Sequence, residues 1–141
     1  MNASTGPDSC YALAARKKAR YLTRLYDNSL APAGLSVSQF SILSLLARNG
    51  KLKLAALADL LIMERTSLVR ALKPLQTAGY IVTERADGAR AFDVLLSASG
   101  LAKVREAAPL WRAAQAEFER QVGQECAARQ RDEVLDLHLA G

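Results

Sequence analysis

Residues 63–80, MERTSLVRALKPLQTAGY, contain a helix that cannot stand alone. At 100° per residue Leu68, Leu72 and Leu75 stack on one side, while Thr66, Arg70, Lys73 and Thr77 follow the same spacing on the other. Pro74 interrupts the pattern from within. It removes one amide donor and crowds the carbonyl of Arg70, at a cost of about 3 kcal/mol in an exposed helix. Only packing of the three leucines against neighbours recovers that cost, so the segment requires a core. The opposite face, where Arg65, Thr66, Ser67, Arg70 and Lys73 crowd the first half of the helix, must then look outwards.

The rest of the chain supplies elements to pack against. From Cys10 to Ala31 the apolar positions Tyr11, Ala15, Leu22, Leu25, Tyr26 and Leu30 keep roughly helical spacing, and Arg16, Lys17, Lys18, Arg20 and Arg24 occupy the other side. Pro32 and Gly34 break this helix. SVSQFSILSLLARNG predicts a second helix, opened by a capping box between Ser36 and Gln39 and stopped at Gly50. KLKL (51–54) alternates like a short strand, and residues 54–62 form a short apolar helix. After the proline-bearing helix stops at Gly79, the period changes. Ile81-Val82-Thr83 and residues 92–96 are strand-like around the turn ADGA, giving a β-hairpin flanked by Arg85 and Arg90. A long helix follows over about 98–122, with Pro109 as an expected kink, and a final helix follows Gly123.

A helix-turn-helix followed by a hairpin is a winged arrangement. The expected fold is therefore mainly α with a small β-hairpin wing. A winged helix-turn-helix lobe spans about 36–96, helical flanks span about 10–31 and 98–140, and residues 1–9 are read as a flexible tail. In such a lobe the second helix lays its N-terminal end in the DNA major groove, where Arg reaches guanine edges and hydroxyls reach bases or phosphates. Arg65, Thr66, Ser67, Arg70 and Lys73 are the groups that task needs, with Ser36, Ser38 and Gln39 as further contacts and Arg90 extending from the wing towards a minor groove. The plainer alternative is a polar face that meets only water.

Charge supports the first reading. Residues 1–95 hold 13 Lys and Arg against 7 Asp and Glu, whereas residues 96–141 hold 6 against 7, so the whole excess lies in the part with the winged lobe. No Gly-rich phosphate loop, carboxylate pair or Ser/His/Asp set is present, so an enzyme is not expected. No cofactor is implied, and the single histidine, His138, reads as a surface residue that leaves no metal-ligand cluster. No apolar run approaches the roughly 18 residues of a membrane span, and MNASTGPDSC lacks the regions of a signal peptide. The expected location is the cytoplasm. The remaining rival from another class is a helical protein-interaction module without DNA-binding activity.

Residues 10–123, about 80% of the chain, resemble a MarR-family transcription regulator. GLSVSQFSILSLLARNGKLKLAALADLLIMERTSLVRALKPLQTAGYIVTE follows that family's core pattern, and RAFDVLLSASG resembles its second wing strand and the start of its long helix. The resemblance implies a homodimer built by the first and last helices. It also implies repression of genes at a double-stranded, pseudo-palindromic operator until a small molecule or an oxidant releases the protein. Two positions depart from the pattern. Ile62 stands in the turn where the family often carries Gly. In the wing, Arg90 fits the family's Arg, but Gly88 takes the place of its Asp, with Asp87 one residue earlier.

CYALAARKKARYLTRLY is similar to the first helix of the peroxide-sensing OhrR-like members, which makes Cys10 a candidate redox switch, although it falls two residues early. The alternative for Cys10 is a small apolar residue at a helix start. Cys126 reads as packing, and two cysteines 116 positions apart make no disulfide framework. Tyr26, Trp111 and Phe118 are candidates to line an effector pocket between the flanking helices and the lobe; the alternative is core.

Overall fold

Glycine and proline stops set the order of elements in the computed structural model, which describes residues 6–137. The helices are α1 (Tyr11–Leu30), α2 (Val37–Asn49), α3 (Leu54–Leu61), α4 (Arg65–Thr77), α5 (Ala98–Val122) and α6 (Gln124–Leu135). The strands are β1 (Leu52–Lys53), β2 (Ile81–Glu84) and β3 (Asp93–Leu96). Single 3-10 turns occupy Pro7–Ser9 and Ala31–Ala33. The first of these lies inside the stretch expected to be a flexible tail. Pro7 starts the turn, and the Ser9 hydroxyl donates to the Gly6 carbonyl at 2.7 Å.

The helix-turn-helix is α3 followed by α4, and the wing is β2–β3. Val82 pairs with Leu95 and Thr83 with Val94 across the hairpin. The hairpin expected from the sequence is part of a three-stranded antiparallel sheet of order β1-β3-β2, because the KLKL segment also pairs, Leu52 opposite Val94. That third strand fastens the wing to the loop after α2.

Leu68, Leu72 and Leu75 of α4 are at most 2% exposed and join Leu43 and Leu46 of α2, Leu57 of α3, Ile81 and Val94 of the sheet and Leu30 of α1 in one core. Burying three leucines contributes about 5–9 kcal/mol at 1.5–3 kcal/mol each, more than Pro74 costs. The interior proline is tolerated for that reason, and α4 continues unbroken past it to Thr77.

α5 lies against α1, α2 and β3. Its buried positions are Gly100, Ala107 and Ala114, seven residues apart, so one stripe of small side chains lets the neighbouring elements approach closely. Gly100 marks the tightest point. A Cβ there would collide with the carbonyl oxygen of Tyr80, just after α4. Around it the Ser97 amide donates to the Tyr80 carbonyl at 2.9 Å, and the Ser97 and Ser99 hydroxyls both donate to the Gly79 carbonyl, at 2.5 and 2.9 Å. At the other end, Tyr21 of α1 donates to the Gln121 side-chain carbonyl. Gln121 and Arg120 in turn hold Glu117, whose carboxyl is lowered to about 2, chiefly by the hydrogen bond from Arg120.

Ile62 resolves the departure in the turn. Its backbone takes the left-handed conformation (φ 51°, ψ 47°), the one non-glycine residue among those described with a positive φ. The Met63 amide then donates back to the Ala58 carbonyl at 2.9 Å, closing α3 as a glycine would. A β-branched side chain in that conformation is strained by about 1–2 kcal/mol, and here it is 70% exposed, with little packing to compensate. Ile62→Gly should therefore stabilise the protein by about 0.5–1 kcal/mol, the relief of strain exceeding glycine's extra unfolded-state entropy. Thermal unfolding should rise by about 3 °C; a lower midpoint than wild type would contradict this account.

Candidate nucleic-acid interface

With its leucines fixed inward, α4 turns Arg65, Thr66, Ser67, Arg70, Lys73 and Thr77 to solvent, and all six are exposed. None of the three cations forms an ion pair among the described residues. Glu64 caps the helix with its backbone alone, so the first-turn amides receive no side-chain acceptor. Such amides carry the positive end of the helix dipole and suit a phosphate. The surface can therefore hold a polyanion and offer Arg and hydroxyl donors to base edges.

The start of α2 is arranged differently. The Ser36 hydroxyl accepts from the Gln39 amide at 3.1 Å, and the Gln39 side-chain carbonyl accepts from the Ser36 amide at 3.0 Å, completing the expected capping box. Asp27 of α1 accepts from the Val37 amide at 2.7 Å. Ser36 and Gln39 are half-buried and spend these oxygens on the helix; Ser38 is exposed.

The wing loop spans 85–92 between the paired strands. The Ala89 amide donates to the Ala86 carbonyl at 2.9 Å, and Gly88 takes φ +77°, so the ADGA segment is the turn. Arg90 is exposed beside it, and Asp87 forms no ion pair with it. Arg85, which sequence reasoning noted only as flanking the tip, is held over the face of Phe92, 5.8 Å from the ring centre. Arg85 and Phe92 line a recess of about 320 Å³ with Gln76, Thr83 and Glu84, joining the end of α4 to the root of the wing.

A larger cavity of about 450 Å³ lies between α1, α5 and α6. Tyr26 and Phe118 line it together with Leu22, Ala127, Val134 and Leu135. The Tyr26 hydroxyl is raised above its ordinary pKa by burial and by the nearby Glu119 carboxylate. Trp111 is not part of this cavity, which lies among the flanking helices and not between them and the lobe as expected. It stacks on Phe40 of α2, with ring centres 6.2 Å apart at 30°, against the main core. Trp111 and Phe118 share one stripe of α5 but sit about 10 Å apart along it, so they meet different neighbours.

Cys10 is the N-cap of α1, exposed, with its sulfur accepting from the Leu13 amide at 3.4 Å. Cys126 is half-buried and accepts from the Gln130 side-chain amide at 3.1 Å. His138 lies outside the described residues. Among the described residues no single helix is long and apolar enough to cross a membrane.

Comparison with known proteins places this geometry. The sequence pattern of the MarR family matches residues 33–91, from the turn before α2 through the wing loop. The transcriptional regulator MosR of M. tuberculosis is 32% identical and superposes with a TM-score of 0.79, covering 92% of this chain and 95% of MosR. MosR in complex with DNA superposes with a TM-score of 0.75, again at 32% identity, over 91% of this chain and 99% of that one. CouR from Rhodococcus jostii RHA1, bound to p-coumaroyl-CoA, shares the fold at 16% identity (TM-score 0.78, 93% of each chain). No curated protein sequence matches significantly. These neighbours are transcriptional regulators, not enzymes. With MosR matched over nearly its full length at 32% identity and the family pattern running through the helix-turn-helix and wing, this chain belongs to the MarR family of transcriptional regulators.

Proposed function

We propose that the protein is a sequence-specific DNA-binding repressor that acts in the cytoplasm as a homodimer. It holds a pseudo-palindromic operator until a small molecule or thiol oxidation releases it. The observation that carries this reading is the outward face of α4, with three cations free of ion pairs among the described residues and two hydroxyls beside a helix start without a side-chain cap, opposite a buried leucine stripe. The DNA complex of MosR, a relative over nearly the whole chain, supports it. Arg65 and Arg70 are assigned to base edges, Thr66, Ser67 and Ser38 to bases or phosphates, and Lys73 to phosphate. Arg90 is assigned to the flanking minor groove. Ser36 and Gln39 act chiefly by fixing the start of α2.

The homodimer reading is supported by apolar surface that one chain leaves open. Val134, Leu135 and Leu137 are 58–71% exposed, and Val134 and Leu135 line the same cavity as Tyr26 and Phe118. A second copy packing α1 and α6 against this region covers it and sets the two α4 helices one helical turn of DNA apart. The cavity's size is in the range of small-ligand sites, which keeps Tyr26 and Phe118 as effector-lining candidates. Cys10 is the second candidate switch, exposed at the start of a helix assigned to the dimer.

Arg65→Ala and Arg70→Ala should each weaken operator binding by about 1–3 kcal/mol and relax the base preference at one position per half-site. Lys73→Ala should weaken all sequences alike and flatten the salt dependence by about one unit per half-site, since each lost phosphate contact releases fewer counterions. Fluorescence anisotropy across a salt series reads both effects. Binding that ignores salt and survives all three substitutions would favour the protein-interaction module instead. Val134→Glu with Leu135→Glu should convert a sedimenting dimer to monomer and abolish tight binding to paired half-sites. A wild-type monomer that still binds the operator tightly would refute the dimer. Cys10→Ser should bind DNA normally and ignore organic hydroperoxide, while Cys126→Ser still responds. Wild type that keeps its operator through millimolar peroxide would leave the cavity as the switch.

A further inference from the structure

Val69 is the one branched aliphatic side chain on the outward face of α4. It is 39% exposed, and every other exposed residue from Arg65 to Thr77 is polar, charged or Pro74. A β-branched residue is a poor choice for an exposed helical position, where Ala or Lys is intrinsically better. Its place on the helix is specific. Arg65, Val69 and Lys73 follow at four-residue steps, so they form one ridge with about 6 Å of rise between neighbours and turns of about 40°. An apolar group thus sits between two cations. Gln76, one helical repeat beyond Val69, lines the recess at the root of the wing, so this edge of α4 borders the wing side.

We propose that Val69 reads the 5-methyl group of one thymine in each operator half-site. The inference rests on the DNA-binding reading above and adds a specificity determinant to it. In the major groove the thymine methyl is the apolar mark that separates an A·T pair from the other patterns of donors and acceptors. A valine in a helix keeps essentially one rotamer, so its two methyls are pre-positioned and no conformational freedom is lost on contact. Arg65 and Lys73 on either side fix the register through base edges and phosphate, and the valine then excludes water from the methyl. An extended polar side chain in the same place would accept several bases. The branched one favours thymine.

The test uses the full chain and a duplex selected by it from random sequence. Each thymine in that duplex is replaced singly by deoxyuridine, which deletes the methyl and keeps the hydrogen-bonding edge. One position per half-site should weaken wild-type binding about fourfold, the value of one buried methyl, and the symmetric pair about fifteenfold. Val69→Ala improves helix propensity, so it folds, and it should bind the thymine and deoxyuridine duplexes equally. If wild type binds its duplex but no deoxyuridine matters, the valine inference fails and the DNA-binding reading stands. If a sensitive thymine remains as sensitive in Val69→Ala, another residue reads it and the inference again fails. If no duplex is selected at all, the DNA-binding reading itself falls and takes the inference with it.

Discussion

The outward chemistry of this protein depends on three leucines that no ligand touches. Leu68, Leu72 and Leu75 hold a helix that carries a proline and bears its cations on one side, and their burial fixes the rotation of α4 about its own axis. A turn of 100° would bring a neighbouring row to the surface and bury Arg70 or Lys73, and burying an unpaired charge costs far more than the leucines return. The register of the exposed face is therefore set by the core. On the proposed reading, DNA specificity and stability lie on two sides of one helix.

The second constraint is the junction between the end of α4 and the start of α5. Gly79 and Tyr80 offer their carbonyls to Ser97 and Ser99, and Gly100 permits the backbones to meet. Lys103 adds to it, donating to the Ala33 carbonyl at 3.1 Å, pairing with Glu106 at 2.8 Å and lying 5.7 Å from the centre of the Tyr80 ring. Its pKa is raised, first by the hydrogen bond to Glu106, so it stays charged in this setting. These contacts are short-range, directional and mostly to backbone, a combination that resists bending. The winged lobe and the long helix consequently share a rigid corner.

Most of the fold was legible because its punctuation is chemical. The Ser36–Gln39 box, the stops at Gly50, Gly79 and Gly123 and the change from helical to alternating spacing after Tyr80 each state a backbone requirement in residue types. The start of α5 at Ala98 is where it was expected, and the structure adds Ser97 as its cap, accepting from the Gly100 amide. What was not legible depends on partners distant in sequence. The pairing of β1 with β3 needs two residues some 40 positions away, and two-residue strands carry too little pattern to announce a mate. Ile62 in the left-handed conformation contradicts its own propensity and is held by the helices on both sides of the turn. Trp111 went to the core instead of the cavity because identical spacing along α5 meets α2 at one level and α1 with α6 at another. At the candidate site, the α4 face was readable from periodicity and charge together. Arg85 on Phe92 required the wing to fold first, and Val69 gave no signal until the rest of its face proved polar.

α5 connects the corner after α4 to the cavity between α1, α5 and α6. From the corner at Gly100 to the cavity beside Phe118 it rises about 27 Å, and its middle is seated against α1 and α2. Small side chains on its buried stripe let α1 and α2 approach α5 closely. At the corner, hydrogen bonds to the Gly79 and Tyr80 carbonyls join the start of α5 to the segment just after α4. On the proposed reading, an effector that changes the packing of α1, α5 and α6 acts at the far end of a helix whose start is bonded to the segment after α4. Its effectiveness is bounded by differential affinity: moving a population from almost all bound-competent to almost all released takes about 5.5 kcal/mol. A few buried methylenes on a ligand or in the cavity wall supply energies of that order. A switch of the proposed kind would need no contact with DNA, only unequal packing of α1, α5 and α6 in the two states.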